Sequence, residues 1–217
     1  MTVLHSIDAV LRGQRSRTSM RTILFASIAA SMGYGAVMGS LTGLHDGRQL
    51  QLLFSAIKVP ILLLVTFAIS LPSFAVINTL LGLRADLRAA LAALLDTQAG
   101  VAVTLCSLAP ITIVWYLTCR DYQTAILFNG LMFGVSAFAG QIILRRTYAP
   151  LIARDARHRV MLRAWLITYA FVGIQMGYVL RPFIGDPNQP VRFFREEAWG
   201  NAYVVVAEMI WNILHRN

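Results

Sequence analysis

Charge is what this sequence has least of. Asp, Glu, Lys and Arg make up 13% of its 217 residues, against roughly a quarter in a soluble globular domain. Lysine is almost missing: of 19 basic residues all but Lys58 are arginine. Acids number ten, histidines four and cysteines two. Each shortage excludes something. Cys106 and Cys119 share one apolar run, and thirteen helical residues hold them about 20 Å apart at ~1.5 Å per residue, so they cannot bond to each other. His5, His45, His158 and His215 lie outside or at the edges of the apolar runs and read as solvated. The sequence therefore offers no axial pair for a membrane haem and no His/Cys spacing for zinc. It has no Ser-His-Asp set, no HExxH, no P-loop and no aspartate pair within the runs. No catalytic, cofactor-binding or metal-binding residue is assigned, and no cofactor is expected.

What the sequence does have is apolar length. It is 57% hydrophobic with a mean hydropathy of +0.63, and a soluble fold would have no interior large enough for these stretches. The chain reads as an all-α, polytopic transmembrane helical bundle of about five spans plus a C-terminal interfacial or sixth helix. Residues 1–21 form a basic N-terminal segment with Arg12, Arg15, Arg17 and Arg21. Residues 22–180 hold the spans, near 22–44, 59–81, 97–118, 122–144 and 164–180. The first run is uncharged and exceeds a signal-peptide core of roughly 7–15 residues, so it reads as an uncleaved anchor. Residues 45–58 read as a short amphipathic approach to the second span, with Pro60 at a helix start and Gly82 at its end. Leu83–Asp96 is amphipathic, either an interfacial helix or the beginning of a longer third helix. Arg120 and Asp121 make a tight turn, so spans three and four form an antiparallel hairpin. Residues 181–217 make an outer loop and a C-terminal amphipathic helix. The stretch 198–214 is short for a span and carries Glu208, which would cost roughly 2.5–3.5 kcal/mol at mid-membrane, so five spans are favoured.

Basic residues set the orientation. The N-terminal segment, 83–96 and 145–163 carry twelve, and 45–58, 119–121 and 181–197 on the other side carry six. By the positive-inside tendency the N-terminus is cytoplasmic, with the protein expected in a bacterial inner membrane. The formal charge of +9 suits anionic headgroups of the lipid bilayer better than nucleic acid, because the arginines flank the spans.

Three features invite function. Ser27, Ser31, Gly35, Gly39 and Gly43 recur every four residues, a small stripe that lets helices approach closely. It is either an interface to a second copy or partner membrane subunit, or a packing face within the chain. Gly130/Gly134 and Gly173/Gly177 are shorter versions that favour internal packing. Pro72 and Pro110 are expected to kink the second and third spans. With Ser70, Asn78, Asn129, Gln141 and Gln175 they suggest a transport path, though no carboxylate or histidine lies within the five runs to relay protons. The loop after the fifth span holds Arg181, Arg192, Phe193, Phe194 and Arg195, with Trp199 beyond. Its three prolines make it stiff, and its arginines and rings suit an interface at headgroup depth.

The run Ser55-Ala56-Ile57-Lys58-Val59-Pro60 leads into Leu71-Pro72-Ser73-Phe74-Ala75-Val76-Ile77-Asn78. With Arg181-Pro182-Phe183-Ile184-Gly185 and Phe193-Phe194-Arg195-Glu196, it is similar to a set of uncharacterised bacterial multipass membrane proteins. Their topology resembles the Yip1-like family. The Asp-Leu-Tyr-Gly-Pro signature of Yip1 proteins is absent, so the resemblance implies a non-enzymatic helical bundle and not a trafficking role. The expected function is a non-catalytic scaffold, assembly factor or accessory subunit of a larger membrane complex. The alternative is a small transporter or channel around the proline-containing second and third spans.

Overall fold

The computed structural model describes residues 20–43, 48–119, 121–186, 188–194 and 200–204. Among these the chain is helical, with no strand. The helices are α1 (Met20–Gly43), α2 (Gln49–Leu80), α3 (Leu87–Thr118), α4 (Tyr122–Arg154) and α5 (Arg157–Val179), with a 3-10 turn at Arg84–Asp86. All five are long and apolar enough to cross a bilayer. A short C-terminal helical stretch begins at Ala202. Large apolar side chains such as Leu127, Leu131, Phe138 and Ile167 point away from the bundle, 60% to 73% exposed. Only lipid accommodates so many of them, and the chain is an integral membrane protein with five long apolar helices among the described residues.

Local chemistry fixes the helix ends. Gly82 closes α2 at φ +73, with Gly82 N–H donating to Thr79 O at 3.0 Å and Leu83 N–H to Asn78 O at 2.9 Å. This is a Schellman motif, which needs a residue that tolerates the left-handed region. Asp121 caps α4, its carboxylate accepting from Thr124 N–H at 2.8 Å, and the turn from α3 is as short as expected.

Successive helices run in opposite directions. At one end Thr42, Arg48, Tyr122 and the 181–194 loop come together; this is the cap end. At the other, Leu81, Asp86, Arg154, Arg157 and His158 meet; this is the basic end. Two cores divide the bundle accordingly. Tyr34, Met38, Val59, Leu105, Tyr116, Met132 and Ile184 fill the cap-end core, in which α5 takes no part. Phe74, Leu94, Leu144, Tyr148, Met161 and Trp165 fill the basic-end core, to which α1 contributes nothing. α1 is thus a wedge between α2 and α3 near the cap.

Three boundaries differ from the sequence expectation, and a fourth decides between its two alternatives. α2 starts at Gln49, so the amphipathic approach is part of the helix and Pro60 lies well inside it. Its 32 residues measure about 48 Å, longer than a hydrocarbon core of ~30 Å, and the surplus rises under the cap loop. The stretch 83–96 is mostly the beginning of α3, which carries Asp96 in the same helix as the third span. α4 continues past Leu144 through Arg145, Arg146 and Pro150 to Arg154. α5 starts at Arg157, so its first two turns hold Arg157, His158, Arg159 and Arg163. Charge did not mark where helices end.

Candidate functional site

The cap end is where polar chemistry concentrates, and it is built from one face of α2. Arg48, Gln51, Ser55 and Lys58 follow a 3-4-3 spacing, which places them on a single helical face. Gln51, Ser55 and Lys58 are fully buried. That face meets the loop after α5 through the loop's main chain. Lys58 Nζ donates to Pro182 O at 2.5 Å, Gln51 Nε2 to Phe183 O at 3.1 Å, and Ser55 Oγ to the same Phe183 carbonyl. From α1, Thr42 Oγ1 donates to Ile184 O at 2.6 Å. The Arg48 guanidinium donates to Asp186 O at 2.6 Å and Gln189 O at 2.9 Å. Gly185, at φ +82, lies directly on the Gln51 side chain, where a Cβ would collide with it.

The loop contributes apolar anchors of its own. Ile184 is 3% exposed and sits with Phe183 in the cap-end core. Phe193 packs edge-on to Phe54, ring centroids 5.3 Å apart, and presents its face to Lys58 Nζ 5.0 Å from its centre. A buried ammonium is tolerable only with a strong acceptor and an electron-rich neighbour, and Lys58 has a carbonyl and a ring.

Beneath the cap lies a buried hydrogen-bond chain across three helices. Tyr34 Oη of α1 donates to Asn129 Oδ1 of α4 at 3.0 Å. Asn129 Nδ2 donates to Tyr116 Oη of α3 at 2.6 Å and to Ala125 O at 2.8 Å. Farther down, Tyr169 Oη donates to Gln98 Oε1 at 2.9 Å, and Gln98 Nε2 to Leu63 O at 3.0 Å, tying α5, α3 and α2.

The basic end carries an ionic collar. Asp86 receives Arg154 at 3.7 Å and His158 Nε2 at 3.2 Å, and Arg157 donates to Leu81 O at 2.9 Å. His158 corrects the expectation of a solvated loop histidine: it is fully buried, edge-on to Tyr148 with ring centroids 5.7 Å apart. Asp155, in the α4–α5 turn, is held below the usual carboxylate range by hydrogen bonds from the Arg157 side chain and then its backbone. Asp121 is held low in the same sense, by the Thr124 backbone and hydroxyl.

Two glycines of the small stripe, Gly35 and Gly39, pack within the chain. A Cβ at Gly39 would come within 2.7 Å of Leu52 Cα, and one at Gly35 would meet the Ser55 carbonyl and Ala56 backbone of α2. Ser27 and Ser31 are buried and return their hydroxyls to the carbonyls of Ile23 and Ser27, both at 2.7 Å. Gly43 is the last residue of α1. By contrast nothing lies within 4 Å of a Cβ at Gly130, Gly134 or Gly177.

Pro72 and Pro110 sit inside continuous helices on exposed faces. The polar residues of the suggested transport path lie at different heights. Asn129 is in the network under the cap, Gln175 bonds residues 200 and 202 near the cap-end terminus of α5, and Asn78 is buried at the basic-end terminus of α2. Arg181 and Arg192 are exposed, with the Arg181 guanidinium 6.0 Å from the Tyr178 ring centre, and Phe194 is 42% exposed. Arg195 and Trp199 lie outside the described residues. The residues that sequence reasoning missed are Thr42, Arg48, Gln51, Ser55 and Lys58; the polar 3-4-3 spacing at the start of α2 was the available signal. Comparison with family models, curated proteins and solved structures found no match.

Proposed function

We propose that this protein is a non-catalytic membrane scaffold, assembly factor or accessory subunit of a larger complex, and that the cap end is its docking surface. The observation that carries this reading is how the cap is held. Thr42, Arg48, Gln51, Ser55 and Lys58 all donate to main-chain carbonyls of the loop. Fixing a loop by its backbone gives it one shape while its outward side chains, among them Arg181, Arg192 and Phe194, remain on the exposed side. Pre-organised arginine and aromatic side chains suit recognition, because little conformational freedom is lost on binding. The hydrogen bonds across α1, α3 and α4, and across α2, α3 and α5, make a rigid base for that surface.

Orientation belongs to the same proposal. Arg84, Arg88, Arg145, Arg146, Arg154, Arg157, Arg159 and Arg163 gather at the basic end. Arginine in short connections is retained on the cytoplasmic side, so the basic end faces the cytoplasm of a bacterial inner membrane and the cap faces outward. The Yip1-like plan of a cytoplasmic N-terminus and about five spans accords with this arrangement.

Native purification in mild detergent or nanodiscs with mass spectrometry tests the reading. A stoichiometric partner, or a defined homo-oligomer, that dissociates when Arg192 and Phe194 are replaced by alanine is the expected result. Strictly monomeric protein with no co-purifying subunit would sink it.

A further inference from the structure

Arginines at the basic end fall into two sets. Those at the helix ends have partners within the chain: Arg154 reaches Asp86 at 3.7 Å, and Arg157 reaches Asp155 at 2.6 Å and the Leu81 carbonyl at 2.9 Å. Arg145, Arg146 and Arg163 sit farther along α4 and α5, and all three are exposed. Among the described residues none of these three is in an ion pair. Arg145 and Arg146 lie nine and eight residues before Arg154, and Arg163 lies six after Arg157. At ~1.5 Å per residue that sets the three about 9–13 Å inward from the α4–α5 turn. Counting from the cap gives their depth. Tyr122 stands 23 residues before Arg145, about 34 Å, so a hydrocarbon core of ~30 Å fits between them. Arg163 stands 16 residues before Val179, about 24 Å, and its stem leans toward the helix N-terminus, out to the headgroups.

We propose that Arg145, Arg146 and Arg163 form a headgroup tier that binds the phosphodiester of an anionic phospholipid. A guanidinium keeps its charge at this depth, and an unpaired charge at the edge of the hydrocarbon is costly. The chain supplies acids to Arg154 and Arg157 and none to the tier, so the counter-ion comes from outside the chain. The planar fork of arginine matches two phosphate oxygens at once, in keeping with a chain whose basic residues are arginine at every position but one. Acyl chains find their place beside it. Ile142 precedes Arg145 and Arg146 by three and four residues, while Val160 precedes Arg163 by three and Ile167 follows it by four. Exposed apolar side chains therefore share a helical side with each arginine. A phospholipid brings its phosphate and its hydrocarbon to that border together, whereas a soluble acidic segment would have to enter at acyl-chain depth. The tier lies at the opposite end from the cap, so it stands or falls apart from the docking surface.

The test places the full chain in nanodiscs of phosphatidylcholine and phosphatidylglycerol in equal parts. Native mass spectrometry then reads which lipids stay on the protein when the disc is stripped away. Phosphatidylglycerol is expected at about fivefold over its share of the disc, the factor that one arginine supplies at an anionic surface. The triple variant Arg145→Gln, Arg146→Gln and Arg163→Gln should lose that enrichment, and Arg84→Gln with Arg88→Gln should retain it. Should the triple variant fail to assemble, Arg146→Gln alone reads the same loss in part. Wild-type protein that keeps the two lipids in disc proportion overturns the proposal, and that measurement needs no variant. Enrichment that survives the triple variant overturns the assignment to these residues. Inorganic phosphate or a poly-glutamate peptide held by the wild type in phosphatidylcholine discs, without phosphatidylglycerol enrichment in the mixed discs, assigns the tier to a soluble anion or an acidic protein and overturns the lipid.

Discussion

Lys58 reaches out of α2 to the carbonyl of Pro182, 2.5 Å away, and so joins the start of the second helix to the loop that follows the fifth. Replacing it with methionine keeps the stem and removes the charge-assisted donor. The Pro182 carbonyl then loses its partner under the cap, a loss of about 1–3 kcal/mol. The expected outcome for Lys58→Met is a lower thermal midpoint, with faster amide exchange and protease cleavage across 181–194 while the helices stay protected. Unchanged exchange in the loop would remove Lys58 from its role as the cap's tether.

Contact between α1 and α2 depends on two residues with no side chain. Gly35→Ala and Gly39→Ala place a methyl group against α2 backbone, where overpacking costs about 1–3 kcal/mol. Gly134→Ala meets open space and gains helix propensity, up to about 1 kcal/mol. Size-exclusion after graded heating should rank the variants Gly35→Ala below wild type and Gly134→Ala at or above it. A neutral Gly35→Ala contradicts the close packing of these two helices.

Asn129 serves two tyrosines at once, accepting from Tyr34 and donating to Tyr116. Hydrogen bonds between membrane helices average ~0.6 kcal/mol and reach ~1.7. Tyr34→Phe and Tyr116→Phe should each lose an amount in that range, and the double variant should lose less than the sum of the two. Asn129→Leu should lose more than either, because it leaves two buried hydroxyls without this partner. Strict additivity in the double-mutant cycle would show the two bonds to be independent.

Asp155 gives the α4–α5 turn a pH dependence. Its carboxyl is held below the ordinary carboxylate value by Arg157, so the folded state favours the charged form. The stabilisation is present above the unfolded carboxylate pKa of roughly 4 and fades as pH falls through the lower folded value. The thermal midpoint of wild type should exceed that of Asp155→Asn at pH 7, and the gap should close on acidification toward pH 3. A gap that is constant from pH 7 to 3 would show that the carboxylate is not the source.

Much of this arrangement was legible because lipid punishes exceptions. Five apolar runs became five helices, Asp121 gave the tight turn, and Gly82 closed α2 as its position suggested. The every-fourth stripe of α1 was legible as a close-packing face, though spacing alone left its partner open between another chain and another helix of the same chain. Other features were hidden by treating charge as the end of a helix. Asp96 and Arg145 lie inside helices that outrun the hydrocarbon core, and His158 is buried because the basic end folds over it and hands it Asp86. The cap was half legible: the loop was identified from its prolines, rings and arginines. The groups that hold it were missed, because Arg48, Gln51, Ser55 and Lys58 looked like the polar side of an approach segment. Only the return of the loop across 120 or so residues of chain gives that face a partner.

The central claim is that the cap is a docking surface on an otherwise lipid-facing scaffold. Site-specific photo-crosslinking in intact cells from position 194, with Leu131 on the open face of α4 as the control, tests it most directly. The account expects a discrete protein adduct from position 194, weakened by Arg192→Ala, and only lipid adducts from position 131. Protein adducts of equal yield at both positions, or none at position 194, would contradict it.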